Sequence, residues 1–571
     1  MNKYLRNRWI RLSLLLCSIL FAFIAGAVTL FGVQNKERIS HRLFPPGLEQ
    51  LEEIRVSDWH TLETGLVTIQ RADIRLGDTV GFTSGGAIDS VGDTILYASA
   101  SGYIATVDLT EGKIEYSSIR VPMDFDRLKT EVFSRHSKFN SEWYRVMDIL
   151  VHRSETNNDE ATLYVSHHIF VPESSEICGV ISQTGLNLEG DQIRFVDGVW
   201  DEFYRIRECF SLEEFDWSYF GLESGGQLMM LDNDHILLSV GDYGIEWELF
   251  VHDRVGPQYD NDFSKIISID LETGEPAVYA HGFRNPQGLA RDSDGGIWEA
   301  EHGPQGGDEI NYVTPGADYG WPTVSLGMNY GSPRVPIPSN PVQGRHDGYV
   351  MPVMAFLPSI GISAITALPS EPIEFELWKN DLLAVSLREE SLFHLRRDGD
   401  RIIYAEKIPL GARLRDVHIL KNGWIAILTG GDRSIILLRD ATDTRSIEPI
   451  SISGYSAVNE LQEQVQEAIG KPDPSERVFW SECSRCHNVN GENSIGPPLN
   501  GLYKRKIGSA PGYSYSEGLA KARGKWTRGK VKSFLHNPQA MYSDTTMPAQ
   551  YNLESWEQRA ILNYLEKVND R

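Results

Sequence analysis

The chain has 571 residues, 41% hydrophobic and 23% charged, with a formal net charge of −25. Those proportions are globular and exclude disorder, collagen or coiled coil as the main state. The length calls for roughly two to four domains, and a surface this acidic repels phosphate backbones, which excludes nucleic acid as an expected partner.

Lys3, Arg6, Arg8 and Arg11 precede an apolar run from Leu12 to Val33. At ~1.5 Å per residue, about 21 residues cross roughly 30 Å of hydrocarbon. Basic residues before the run favour an N-terminus inside and a chain exported after residue 34. Ala25-Gly26-Ala27 offers a signal-peptidase site. The apolar run nevertheless continues through Val28, Leu30, Phe31 and Val33. The expectation is an uncleaved single-pass anchor over 1–34 in the inner membrane, with the rest on the periplasmic face, and a polar juxtamembrane segment over 35–77.

From about residue 78 to 440, short strand-like runs alternate with turn clusters. Examples are Thr94-Ile95-Leu96-Tyr97, Thr162-Leu163-Tyr164-Val165, His235 to Val240, Lys265 to Ile269, Leu382 to Val385 and Trp424 to Leu428. Asn-Gly, Asp-Gly and Thr-Gly pairs between them are hairpin chemistry. Strand pairs recurring over so long a stretch predict a β-propeller, with a pair of β-sandwiches as the alternative. The irregular repeat length leaves the blade number open.

Residues 441–471 read as a linker, Glu/Gln-rich in its second half. After it the texture changes to helices and polar loops, and Trp556, Ala560, Ile561, Tyr564 and Leu565 mark one face of a helix over Glu554 to Val568. The charge changes too: from Lys471 onward, 15 Lys/Arg oppose 10 Asp/Glu, so this end is +5 and the first 470 residues carry −30. Five cysteines are present. Cys178 and Cys209 form an even pair that joins in an exported chain or stays as two buried thiols.

Cys483-Ser484-Arg485-Cys486-His487 fits C-x-x-C-H. Two thiols on one helical turn can each add to a haem vinyl group, which turns the following His toward the iron. With Gly496-Pro497-Pro498-Leu499, Pro511 to Ser516, Trp526 and Thr545-Thr546-Met547-Pro548, residues 472–571 resemble a class I cytochrome c. The resemblance implies one covalent haem c on Cys483 and Cys486, with His487 and Met547 as iron ligands; Met541 is the competing sixth ligand.

Three neighbouring segments are equally particular: His281 to Leu289 (HGFRNPQGL), Glu301 to Asn311 (EHGPQGGDEIN) and Pro315 to Pro322 (PGADYGWP). They resemble the soluble-type aldose (glucose/sorbosone) dehydrogenases that use pyrroloquinoline quinone, or PQQ. That resemblance implies a six-bladed propeller with PQQ and Ca²⁺ at the axial mouth. It places Arg284 and Asn285 at the quinone oxygens and Arg413 and Arg415 on cofactor carboxylates, with Arg388 where the family often has Lys. The Gly303 and Pro304 carbonyls fall at an active-site Ca²⁺, and Glu309 and the Tyr319 carbonyl at a structural Ca²⁺. The family's general base is a His, and Glu223 stands there instead, in Glu223-Ser224-Gly225-Gly226-Gln227-Leu228; Gln227 replaces the family's Arg, and the family's Gln before a Gly-Leu-Leu run has no clear match near Trp143.

The expected protein is therefore an anchored quinoprotein dehydrogenase. It oxidises an aldose or alcohol, with Glu223 as base and Arg284 as electrophilic partner. Electrons pass to the fused haem and on to a respiratory acceptor such as a cytochrome or terminal oxidase. The alternative is a non-catalytic propeller that serves as a docking module for the cytochrome.

Overall fold

The computed structural model describes residues 57–76, 85–124, 127–128, 143–154, 157–196, 198–211, 221, 223–244, 259–304, 306–328, 345–371, 374–430, 434–445, 447, 451–453, 475, 479, 483, 487–489, 491, 493, 496–545, 547 and 555–569. The expected anchor over 1–34, most of the expected linker and Cys486 lie outside them. Among the described residues no helix is long and apolar enough to cross a membrane.

Residues 57–440 make six antiparallel sheets. Blade 1 runs Ala87–Val91, Thr94–Ala98, Tyr103–Asp108, Lys113–Arg120. Blade 2 runs Val146–Arg153, Glu160–Val171, Glu176–Glu189, and three short strands share the far side of the last of these. Blade 3 runs Gly225–Met230, His235–Val240, Lys265–Asp270, Pro276–His281. Blade 4 runs Pro286–Arg291, Ile297–Glu301, Asp308–Val313, Met354–Phe356. Blade 5 runs Ile362–Ala367, Leu382–Ser386, Ser391–Asp398, Arg401–Pro409. The first strand of each blade packs against the first strand of the next, and blade 6 returns to blade 1, so the sheets close into a ring.

Blade 6 closes the ring with both ends of the domain. Leu414–Ile419, Ile425–Thr429 and Ser434–Asp440 come from the C-terminal side, and Thr68–Arg75 and His60–Glu63 from the N-terminal side. Ile69 pairs with Asp440 and Arg75 with Ser434. The propeller thus begins before residue 78. The expected juxtamembrane segment ends short of residue 57, because Ile69, Ala72 and Ile74 are core residues. The linker is revised as well, since Ser451–Ser453 adds a parallel strand to the outer edge of blade 1.

Middle strands are buried on both faces by neighbouring blades, so they read as continuous apolar runs: Leu382 to Ser386 and Ile425 to Thr429 are buried throughout. Outer strands face water, and Arg401–Pro409 is mostly exposed. Buried polar side chains tie one blade to the next. Asp416 accepts from Ile88 N (2.8 Å), Asp89 from Val151 N (2.6 Å) and Asp148 from Leu228 N (2.7 Å). Ser239 Oγ donates to Pro286 O (2.9 Å) and Ser363 Oγ to Leu414 O (2.7 Å). Asp308 Oδ2 accepts from the amides of Ile360, Gly361 and Ile362 at 3.0, 2.6 and 3.1 Å. Each of the six junctions therefore has a polar latch that also satisfies a buried backbone group. Cys178 and Cys209 are joined in a disulfide within blade 2.

The C-terminal part is helical, with Glu517–Ala520, Arg528–His536, Pro538–Met541 and Ser555–Lys567. Thr527 caps the second of these by accepting from Lys530 N, and Asn537 caps the third through Ala540 N. Ile561, Tyr564 and Leu565 of the last helix form the core with Phe479, Trp526 and Phe534. The Phe479 and Tyr564 rings lie 4.6 Å apart, which brings the two ends of this part together.

Candidate active site

Five of the six inner strands open with a β-bulge: register shifts occur at Val146/Asp148, Gly225/Leu228, Pro286/Gly288, Ile362/Ala364 and Leu414/Asp416. A bulge leaves one residue unpaired and re-aims its side chain. The unpaired Met147, Gln227, Gln287, Ser363 and Arg415 all line one cavity, together with Arg145, Asp148, Asp416, Gly225 and the blade 1 residues Gly85 and Gly86. All six blades contribute, so the cavity lies on the propeller axis.

Beside blades 3 and 4 sits a buried ion pair. Glu223 is 4% exposed and Arg284 3%. One Arg284 nitrogen, Nη2, donates to Glu223 Oε1, while Nη1 donates to the carbonyls of His302 (3.1 Å) and Gly303 (3.0 Å). Glu301 accepts from the Arg284 amide at 2.6 Å and fixes the backbone there. The Arg284 guanidinium lies 5.5 Å from the Trp321 ring, and Trp321 Nε1 donates to Asp242 at 2.9 Å. A Cβ on Gly241 would fall 1.9 Å from the Glu223 carbonyl oxygen, so only glycine allows this approach. Burial pushes the Glu223 carboxyl well above the usual range; Arg284 pulls it back and Asp242 pushes it further up. Glu223 Oε2 is buried with no hydrogen-bond donor, which suits a carboxyl that carries or takes a proton there.

Asn285 is beside the pair. Its Oδ1 accepts from Gly225 N (3.2 Å) and Gln287 Nε2 (2.8 Å), so its amide N–H₂ is directed elsewhere. The residues expected at the quinone thus divide. Arg415 lines the axial cavity, and Arg284 and Asn285 are buried, Asn285 bonded to Gly225 and Gln287 of its lining. Arg388 and Arg413 are exposed, and Arg388 donates to Ser359 O at 3.5 Å. A planar anion with carbonyl oxygens fits the axial set of guanidinium and carboxamide donors.

The two expected Ca²⁺ sites differ. At Gly303, the carbonyl expected to hold the active-site ion already accepts from Arg284. A guanidinium at that oxygen repels a second cation, so the arrangement does not fit Ca²⁺ there. Glu309 is buried and pairs across the strands with Glu301; burial first, and then the Glu301 charge, raise the Glu309 carboxyl well above its usual range. Nearby, Glu299 Oε1 and Asn311 Oδ1 are buried without donors. These oxygens fit a hard cation, although among the described residues no three His, Cys, Asp or Glu converge to hold one. Tyr319 is buried, with its ring stacked 4.6 Å from Phe283.

In the helical part, His487 Nδ1 donates to Pro497 O at 2.8 Å, which leaves Nε2 unprotonated for a metal. Burial lowers the His487 pKa, which also favours the neutral ring. A Cβ on Gly496 would sit 2.3 Å from the imidazole, so glycine makes room for it. Cys483, Met541 and Met547 are half-buried against the same core. A neutral imidazole, a thiol and thioethers facing one core fit a covalent haem. Gln539 Nε2 holds the Met547 carbonyl at 2.8 Å.

Residues 146–438 match the model of the Glucose / Sorbosone dehydrogenase family, more than half of the chain, and 474–569 match the Cytochrome c model. The chain belongs to the Glucose / Sorbosone dehydrogenase family and carries a C-terminal cytochrome c domain. It is 32% identical to an uncharacterised protein of Synechocystis over 235 residues, 38% of this chain and 56% of that protein. It is 32% identical to the aldose sugar dehydrogenase of Escherichia coli (strain K12) over 174 residues, 30% and 44% of the two chains. The C-terminal part is 32% identical to a cytochrome c2 of Rhodopila globiformis over 100 residues, 17% of this chain and 94% of that one. The chain spans about half the length of the first two relatives.

Sequence reasoning missed Arg145, Asp148, Asp242 and Asp416. A signal existed for two of them: Asp148 in Val146-Met147-Asp148-Ile149-Leu150 and Asp416 in Leu414-Arg415-Asp416-Val417 interrupt apolar strands, where an acid is buried only if bonded.

Proposed function

We propose that the chain is a quinoprotein dehydrogenase, acting on an aldose or alcohol with PQQ and passing electrons to its own c-type haem. The observation that carries this is the buried Glu223–Arg284 pair beside an axial cavity fed by all six blades. Bound PQQ supplies a carbonyl that accepts two electrons and a hydrogen from carbon. Arg284, Asn285 and Gln287 orient oxygen atoms of ligands at that place. Glu223 takes the hydroxyl proton as the substrate carbon gives up its hydrogen with the electron pair. Burial and Asp242 give Glu223 a proton affinity above that of an ordinary carboxylate, which suits a base near neutral pH. Arg284 bonds to Glu223 before substrate enters and, once that proton has moved, is free to stabilise charge on oxygen.

Two electrons leave one at a time through the cytochrome domain. Fusion holds that carrier at an effective concentration of about millimolar, and the next acceptor is a respiratory cytochrome or oxidase. His487 and Met547 would hold the haem iron, and Met547→Ala should remove the weak near-infrared sulfur–iron band. A divalent cation is proposed at Glu309 and not at Gly303. The disulfide supports export, as does C-x-x-C-H, so the propeller and haem face the periplasm behind an N-terminal anchor. An alkaline phosphatase fusion after Arg439 should be active.

The function is tested by titrating PQQ into the haem-loaded protein with Ca²⁺ and then adding aldoses. Bound quinone and reduced haem support it. One observation favours the docking-module reading instead: base and cation neutralise each other inside the site. Failure to bind quinone selects that reading.

A further inference from the structure

Two methionines, Met541 and Met547, are half-buried against the core of the cytochrome domain, six residues apart. Each carries a thioether suited to the sixth position of a haem iron. They are held in different ways. Met541 ends the short helix Pro538–Met541, which Asn537 caps through Ala540 N (3.0 Å) and Tyr542 N closes on Pro538 O (2.9 Å). Met547 lies in no helix or strand. Its placement depends on side chains.

Gln539 supplies one of these. Its Nε2 donates to Met547 O at 2.8 Å and, more weakly, to Thr545 O at 3.4 Å. Both bonds start from the capped helix, so they tie the backbone of Met547 to it. Thr545 is buried. Its N donates to Tyr542 O at 3.1 Å, and its Oγ1 accepts from Met547 N at 3.5 Å. Asp544 supplies the second. Its Oδ2 accepts from Gly518 N (2.7 Å) and its Oδ1 from Ser516 Oγ (3.2 Å). A Cβ on Gly518 would fall 2.4 Å from Asp544 Oδ1, so glycine admits the carboxylate. The stretch between the two methionines is therefore fastened twice, to the helix that carries Met541 and to residues 516–518.

We propose that Gln539 and Asp544 are positioning residues that select Met547 over Met541 as the sixth ligand of the haem iron. This rests on the reading of Met547 as that ligand. The helix keeps Met541 against the core whether or not the latch is made, whereas the latch fixes Met547. Once released, Met547 leaves the site more often, and Met541 or an added ligand takes its place. One exposed hydrogen bond shifts such a balance by about 2- to 10-fold, and bonds to a carboxylate lie at the upper end of that range.

The test is made on the full-length, haem-loaded protein. Oxidised protein is titrated with imidazole, which binds only when the methionine leaves. After reduction, the upfield-shifted methyl proton signal of the bound thioether reports which methionine is on the iron. Wild type should show one such signal, lost in Met547→Ala. Gln539→Glu keeps the size of the side chain and removes the donor, and Asp544→Ala removes the acceptor. Each should raise imidazole affinity about 2- to 10-fold. Gln539→Arg restores a donor and should bring the affinity back. The double variant Gln539→Glu with Asp544→Ala should show a second methyl signal, which Met541→Leu removes. Wild-type imidazole affinity in the double variant, or a single methyl signal there, overturns the selection and leaves Met547 as ligand. A wild-type methyl signal that survives Met547→Ala overturns the ligand assignment and the selection with it. Should the double variant lose its fold, Gln539→Glu alone decides by the same two readouts.

Discussion

The two domains build their centres in opposite ways. In the cytochrome domain the thiols and the proximal ligand lie within five residues, and Pro497 braces the imidazole ten residues on. In the propeller, Arg145, Gln227, Gln287, Ser363 and Arg415 come from five blades and meet only because the ring closes. A local centre depends on a motif and its covalent ligand. An assembled centre depends on every junction that sets the register of the inner strands. The two should therefore fail differently when residues are changed.

The largest expected effect is at the local centre. Cys483→Ala with Cys486→Ala should abolish covalent haem, seen as colour lost on acid-acetone extraction, while quinone binding by the propeller persists. Loss of both would show that the centres are not independent. At the assembled centre, Glu223→Gln should lower kcat/KM by about 10²–10⁴-fold, the usual contribution of a positioned base. Because the folded carboxyl has a raised pKa, wild-type kcat/KM should rise with pH through that ionisation, and the rise should vanish in the variant. Full activity in Glu223→Gln would place the base elsewhere.

A junction that reaches the site only through the Gly303 backbone sharpens the contrast. Asp308 is 1% exposed and accepts from Ile360, Gly361 and Ile362 N and, at 3.2 Å, from Gly303 N. Asp308→Ala strands these buried amides and should cost about 3 kcal/mol of stability, with quinone affinity falling too because Gly303 is released. Denaturant melts and quinone titration check both, and unchanged affinity would separate register from site. The smallest effect is electrostatic. Asp416 binds its proton more tightly folded than unfolded, to about pH 6. Its contribution to stability is thus complete below the unfolded value near 4 and is lost as pH rises through 6. Asp416→Asn should flatten that part of the stability profile.

Those differences also explain what the sequence disclosed. The haem motif was legible because its chemistry is local. The six blades followed from a family resemblance, not from the pattern, because the repeats vary: blade 2 has a 14-residue strand and blade 4 ends in three residues. The ring's closure by His60–Glu63 and Thr68–Arg75 was not legible, since those residues pair with Ser434–Asp440 across the whole domain. Arg284 and Glu223 were found as separate residues, 61 apart. Their ion pair, and its capture of the Gly303 carbonyl expected to hold Ca²⁺, depends on how blades 3 and 4 meet. Arg388 and Arg413 carry the right chemistry but are exposed and do not line the cavity. Arg145 carried no motif at all; only the bare Gly85 beside it shows why it can turn inward.

The central claim is that electrons taken from a substrate at the assembled centre reach the local one within the same chain. Rapid mixing of quinone-loaded, oxidised protein with an aldose it binds, over a range of protein concentrations, tests this directly. The account predicts haem reduction at a rate independent of protein concentration, lost in Glu223→Gln. Haem that stays oxidised while substrate is consumed, or a rate that falls in proportion to dilution, would contradict it.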